Sequence, residues 1–208
     1  MALETDRQAH WNDIYRRKAD DTLSWYQDSP VISLELALLA GLTPETSVID
    51  IGGGTSRLAA ELIARGLRDI TVLDLSPVAL EVARNRLEGA ADTVHWIAAD
   101  ITQWAVPRRF DLWHDRAVFH FLTEATNRAA YLERLHDAVP SGGHAIIATF
   151  APDGPDRCSG LPVIRYDPTS LARQVGGRFT LIAHRAQKHQ TPGGNTQSFQ
   201  FSLFCKTG

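Results

Sequence analysis

Two kinds of apolar pattern alternate along the chain. Short runs rich in β-branched residues recur at "TSVIDI" (46–51), "DITVLDL" (69–75), "TVHWIAAD" (93–100), "RFDLWHD" (109–115) and "GGHAIIATF" (142–150). Each reads as a buried strand. Between them the apolar positions return every three or four residues. From Thr55, residues 58, 59, 62 and 63 mark one helical face, and Gly66 ends it. Ser76-Pro77 supplies an N-cap hydroxyl followed by a first-turn proline, and predicts a helix running to about Gly89. Residues 125–139 place Leu132, Leu135 and Val139 on one side of a further helix. Strands alternating with helices predict a parallel sheet covered on both faces.

The pattern differs at the two ends. Near the N-terminus, Trp11, Tyr15, Trp25 and Tyr26 lie among charges, which predicts a helical arm whose aromatics pack on the domain, close a pocket, or both. Pro30 opens a helix through Leu39, with Val31, Leu34 and Leu38 on one face and Gly41 as its C-cap. After residue 150, "APDGPDRCSGLPVIRYDP" is rich in Pro and Gly and reads as a loop. A short helix near 168–175 precedes "RFTLIAHRAQKH" and "TQSFQFSLFCK", two β-like segments around "QTPGGN". They predict a closing antiparallel hairpin. The expected organisation is one domain over 1–208. It comprises an arm and lid (1–45), a ligand-binding core (46–150), and a substrate-side loop with the closing hairpin (151–208).

Composition narrows the partners. The 208 residues carry a formal net charge of −3, which does not suggest a nucleic-acid or membrane surface. "VISLELALLAGL" is too short and too interrupted to span a bilayer, and the polar, mixed-charge start lacks the apolar core of a signal peptide. A cytoplasmic protein is expected. Cys158 and Cys205 are far apart and outside any C-x-x-C spacing, which argues against a structural zinc site.

The chemistry is expected at the carboxyl ends of the strands, where open α/β sheets bind ligands. The first strand carries Asp50 and then Gly52-Gly53-Gly54. The second ends in Asp74-Leu75, the third in Asp100-Ile101, the fourth in His114-Asp115-Arg116. The dinucleotide fingerprint G-x-G-x-x-G fails, because Arg57 stands at its third glycine. Carboxylates at successive strand ends would also repel a pyrophosphate. They suit a cationic ligand rich in hydroxyl and amino donors. Asp74 lies 22 positions after Gly52, near the ~20 at which a carboxylate accepts ribose hydroxyls. Asp100 can accept from an adenine amine, and Asp50 can attract an ammonium or sulfonium. S-adenosylmethionine (SAM) has these groups and no phosphate.

On these motifs the chain resembles the class I SAM-dependent methyltransferases. "VIDIGGGTS" is similar to their first motif, "VLDLSPVAL" to the second and "AADITQW" to the adenine segment. "FDLWHDRAVFHFL" is similar to the strand beside the methyl group, and "LHDAVPSGGHAIIATF" to the Gly-Gly turn into strand five. The resemblance covers residues 46–150. It implies a Rossmann-like α/β fold with a seven-stranded, mostly parallel sheet whose seventh strand is antiparallel. It also implies SAM as cofactor and S-adenosylhomocysteine (SAH) as product. Within the class, the Trp11–Tyr15 spacing and "DRAVFHFL" resemble thiopurine and thiol methyltransferases, which implies cofactor contacts for Trp11 and Arg116. The "SWY" arm resembles small protein-lysine methyltransferases, which implies one for Trp25. The glycine run implies a cradle at Gly52 and Gly54, and the strand ends imply contacts from Asp50, Asp74, Leu75, Asp100, Ile101. The compact G-P-P of the thiol enzymes is spread here into "GPDRCSGLPV", and [DN]-P-P-[YF] is replaced by Asp115-Arg116-Ala117-Val118, which argues against adenine-N6 or glutamine-N5 methylation.

Methyl transfer is an in-line displacement, so positioning dominates, and an acidic acceptor must also lose a proton. Asp115 and His120 are the expected catalytic groups, with His114, Tyr166 and His189 as further candidates and Cys158 as a thiol at the substrate mouth. The expected function is methyl transfer to a small molecule, with a thiol or other soft nucleophile as candidate acceptor. A protein-lysine methyltransferase is the alternative. An NAD-type oxidoreductase and a SAM-binding module without catalysis are the competing classes.

Overall fold

The computed structural model describes residues 2–208. Five parallel strands form first: β1 (Val48–Ile51), β2 (Ile70–Asp74), β3 (Val94–Ala98), β4 (Leu112–Arg116) and β5 (His144–Phe150). A two-stranded ribbon follows, β6 (Arg157–Cys158) and β7 (Leu161–Pro162). Then come β8 (Phe179–Gln190) and β9 (Thr196–Lys206). The main sheet runs β3-β2-β1-β4-β5-β9-β8, with β9 antiparallel to both neighbours. The strand order reverses between β1 and β4, which opens a crevice at their carboxyl ends.

Helices cover both faces. On one lie α2 (Val31–Leu39), α3 (Leu58–Ala64) and α4 (Pro77–Leu87); on the other lie α5 (Ala125–Ala138) and α6 (Pro168–Val175). The β1 alternation decides which side chains go where. Ile49 and Ile51 pack with Trp113, Tyr131 and Leu135 toward α5, whereas Val48 packs with Leu36 and Leu62 toward α2 and α3. A fully buried side chain of this size contributes about 1.5–3 kcal/mol. The same alternation turns Asp50 toward the α2 side, away from Ile49 and Ile51.

The expected boundary signals are in place. The Ser76 hydroxyl caps α4 by accepting from the Ala79 N–H (3.2 Å). Gly41, at φ +85°, ends α2 and lets the Leu42 N–H reach the Ala37 carbonyl (3.0 Å). The terminal hairpin forms around Thr191–Asn195. Two readings are corrected. The segment after β5, read as a loop, contains the β6–β7 ribbon. Its turn residues Ser159 and Gly160 both have positive φ, the signature of a tight two-residue hairpin. And α2, grouped by sequence with the arm, buries Ser33, Leu34, Leu36 and Ala37 in the core. The arm proper is α1 (Ala2–Arg17) and the strap that follows it to Pro30. Among the described residues no helix is long and apolar enough to cross a membrane.

Candidate functional site

A cavity of about 280 Å³ opens at the carboxyl ends of β1, β2, β3 and β4, beneath α1 and the strap. Its floor is the glycine turn after β1. Gly52 has φ +65°, and a Cβ there would come within 2.1 Å of the Val118 methyl. The absence of a side chain lets the segment after β4 close against the turn. Gly54, at φ +44°, leaves room for the Tyr15 hydroxyl and the Asp74 carboxylate, which a Cβ would meet at 2.9 and 3.0 Å.

One end of the cavity is acidic. Asp74, Leu75, Asp100 and Ile101 line it together. Asp74 accepts from the Ser76 N–H at 2.7 Å, but burial, with the nearby Asp50 carboxylate adding to it, pushes its pKa up to about 7. Asp100 is more occupied than the sequence suggested. Its Oδ1 accepts from the Thr102 N–H (2.8 Å) and hydroxyl (2.7 Å), and its Oδ2 takes the Arg7 guanidinium at 2.6 Å. Arg7 comes from α1, so this carboxylate latches the arm. Gln8 donates to the Leu75 carbonyl (3.0 Å) and the Ser76 hydroxyl donates to Asn12 (2.7 Å), both from the same helix. Neither Arg7 nor Asn12 was flagged by sequence, since polar residues on a charged helix carry no distinguishing pattern.

The arm aromatics form the roof. Trp11 packs edge-on against Phe121 (5.2 Å) and Trp25 (5.9 Å), and Tyr15 against Trp25 (6.0 Å). Trp11, Tyr15 and Trp25 all line the cavity. Tyr26 is turned aside: Arg57 lies over its ring at 5.2 Å and donates to its hydroxyl at 3.0 Å. The residue that breaks the dinucleotide fingerprint therefore pins the strap.

At the other end two opposite charges share a recess without pairing. Asp50 and Arg116 both line it, with Trp25, Gly52 and His114. Asp50 Oδ1 is held by His114 Nδ1 at 2.7 Å, while Oδ2 is buried and has no partner among the described residues. Arg116 donates from Nη1 to the Trp25 carbonyl (2.9 Å) and stacks over Phe199 (4.8 Å). Its Nε and Nη2 are buried without partners among the described residues, and burial lowers its pKa to about 10. An unpaired buried charge is costly, so an arrangement that keeps one of each sign in one recess matches a ligand bearing both an ammonium and a carboxylate.

The two expected catalytic groups do not line the cavity. Asp115 is fully buried and accepts from Tyr131 Oη (2.7 Å), the Val118 N–H (2.8 Å) and the Phe119 N–H (3.1 Å). Burial raises its pKa to about 6. It ties the end of β4 to the following turn and to α5. His120 is fully buried, edge-on to Phe121 and close to Phe150. Burial, with Arg116 nearby, lowers its pKa to about 3, which leaves it neutral. Tyr166 is buried against Phe119, and His189 Nε2 meets the Ser24 carbonyl at 2.9 Å, a second anchor of the strap. Cys158 does line the cavity, with burial pushing its thiol up to about 11.

A protein-family model described as a methyltransferase domain matches residues 48–143, the segment that builds this floor and the acidic end. Together with the strand order and the antiparallel β9, this likeness supports the Rossmann-like fold of the class I methyltransferases. Among the chain's relatives, a ubiquinone/menaquinone biosynthesis C-methyltransferase of Coxiella burnetii is 29% identical over 109 residues, which are 50% of this chain and 42% of that protein. The chain thus spans less than half of that relative's length. A methyltransferase of Neurospora crassa, srdJ, is 27% identical over 177 residues, covering 82% of this chain and 72% of its own. Among solved structures, the 1,6-didemethyltoxoflavin-N1-methyltransferase of Burkholderia thailandensis, with SAH bound, superposes with a TM-score of 0.69 at 22% identity. The match covers 99% of this chain and 88% of that one.

Proposed function

We propose that this chain uses SAM to methylate a small-molecule nucleophile, with a thiol as the acceptor class its site suits best. One observation carries the cofactor reading. Asp50 Oδ2 and Arg116 Nε and Nη2 are opposite, buried and unpartnered groups around one recess beside the glycine turn. They complement the ammonium and carboxylate of a methionine tail. In this reading Asp74 accepts from the ribose hydroxyls, Leu75 and Ile101 flank the adenine, and Gly52 and Gly54 let the backbone approach the tail.

When bound, SAM supplies a methyl group already activated by a sulfonium. The chain then has to exclude water and hold the acceptor in line. Trp11, Trp25 and Phe121 would close the roof. We assign the acceptor to the remaining wall, Phe121, Leu122, Cys158, Leu161 and Pro162, which offers no carboxylate or imidazole. Asp115 and His120, turned away from the cavity, are therefore not carried forward as acid or base. An acceptor that sheds its proton to water near neutral pH, as a thiol does, fits such a wall. A lysine ammonium, with a pKa near 10.4 and no carboxylate on that wall to attract it, fits less well.

The test has two stages. Calorimetry with SAH, SAM and NAD checks the cofactor, and binding of NAD alone would refute the reading. A labelled-methyl screen of thiols, amines, phenols and whole-cell protein then separates the acceptor classes. Transfer confined to protein would favour the lysine alternative.

A further inference from the structure

Asp50 is held by a short buried chain of hydrogen bonds that runs through His114 to Ser33. Asp50 on β1 and His114 on β4 are register partners, so their side chains lie side by side on the face that α2 covers. His114 Nδ1 meets Asp50 Oδ1 at 2.7 Å, and His114 Nε2 meets the Ser33 hydroxyl of α2 at 2.8 Å. All three residues are buried, at 2%, 3% and 1% exposure. The other carboxylate oxygen, buried and without a partner among the described residues, faces the glycine turn: a Cβ at residue 53 would come within 2.7 Å of Oδ2.

We infer that His114, backed by Ser33, is a positioning residue. It fixes the Asp50 carboxylate so that Oδ2 alone is presented to the ammonium of the cofactor's amino-acid tail. The inference rests on the cofactor reading above. Its chemistry is local. In the Nδ1–H tautomer of His114, the Nδ1 proton is donated to Oδ1 and the Ser33 proton to Nε2. Every polar atom of the chain is then used except Oδ2, which keeps its lone pairs for an incoming cation. A carboxylate with no such brace could rotate and be satisfied elsewhere, for instance by Nε or Nη2 of the neighbouring Arg116. The brace keeps the two opposite charges of the recess apart until a ligand bridges them. Hydrogen bonds behind a ligand-binding group typically govern affinity through the group they orient.

Two ligands distinguish positioning from general structural support. SAH carries the ammonium; 5′-methylthioadenosine carries the same adenosine and sulfur without the amino-acid tail. For His114→Leu, calorimetry should show SAH bound about tenfold or more weakly, the loss expected for one hydrogen bond to a charged group. 5′-Methylthioadenosine should stay within about twofold of wild type. His114→Asn, which keeps a donor where Nδ1 stands, should recover most of the SAH affinity. Ser33→Ala, a milder change if the leucine variant fails to fold, should show the same selective loss at about threefold. Equal losses for both ligands, or none for SAH, would overturn the inference. Wild-type protein that binds neither ligand would instead refute the cofactor reading itself.

Discussion

Asp74 provides the sharpest prediction because its burial and its proposed role pull in opposite directions. Desolvation first, and Asp50 as well, raise its pKa from 3.8 to about 7, against the Ser76 and Gly54 N–H bonds that favour the anion. The folded protein therefore keeps a proton that the unfolded chain releases near pH 4. Stability falls as the pH rises from about 4 to about 7 and levels off above. At about 1.4 kcal/mol per pH unit, the distance from 3.8 to about 7 corresponds to about 4 kcal/mol. Asp74→Asn removes this dependence. The amide forfeits one acceptor, a pH-independent cost of about 1 kcal/mol. Asp115, raised to about 6 by burial, titrates in both proteins and cancels in their difference. The variant should thus gain on wild type by about 3 kcal/mol between pH 4.5 and 8, read by urea melts across that range. SAH binding should reverse the situation in wild type, since ribose hydroxyls favour the ionised carboxylate. At pH 6, binding should release close to one proton, seen as a dependence of the calorimetric heat on the buffer's ionisation enthalpy. A stability gap that ignores pH, with buffer-independent heats, would refute both the buried proton and the ribose assignment.

Three further changes probe the frame of the site. Arg7→Ala breaks the latch on Asp100 and should speed SAH dissociation about three- to tenfold in stopped-flow tryptophan fluorescence; tighter SAH binding would instead mean that Arg7 competes with the adenine amine. Gly52→Ala drives a methyl against Val118 at a positive φ and should cost about 2–4 kcal/mol in thermal melts. Adding Val118→Ala should restore more than half, and no restoration would locate the damage elsewhere. Ala117, which lines the cavity after β4, has φ 73° without being glycine. Ala117→Gly should leave stability unchanged or raise it by up to about 1 kcal/mol in urea melts, and a clear loss would contradict the strain.

The acidic end of the site was legible in the sequence for a reason specific to this topology. In a parallel sheet the residue that ends one strand lies beside the residue that ends the next. Reading Asp74-Leu75 and Asp100-Ile101 off their strand ends therefore placed all four on one wall. Period alone did not say which face each β4 residue takes. Asp115 reads as the best-placed acid next to the methyl site, yet alternation turns it toward Tyr131 and turns His114 toward Asp50. A register argument was available. Asp50 and His114 are polar positions in adjacent buried runs, and a buried polar residue in one strand needs a partner in the next. Ser33 carried the same signal, as the one hydroxyl in the apolar face of α2. The arm was legible only as aromatics, because packing reads through hydrophobicity. Its Arg7, Gln8 and Asn12 bonds depend on where one helix lands on another element.

The glycine turn shows how the two kinds of information combine. Its sequence argues against one ligand: Arg57 at the third glycine position removes the close helix–strand packing that a pyrophosphate cradle uses. The structure gives Arg57 a task the fingerprint does not contain, stacking on Tyr26 and so holding the strap that carries Trp25 over the cavity. The same strap is held from the sheet by Arg116 and His189 through the carbonyls of Trp25 and Ser24. Three cationic or imidazole side chains from three elements thus fix a segment that has no regular structure beyond one short turn. Closure of the cavity rests on apolar packing of Leu23 and Trp25 and on these side-chain bonds, two of which reach only the strap's backbone carbonyls and so leave no mark in its own sequence. This explains why the lid was visible in sequence only through the aromatics it delivers.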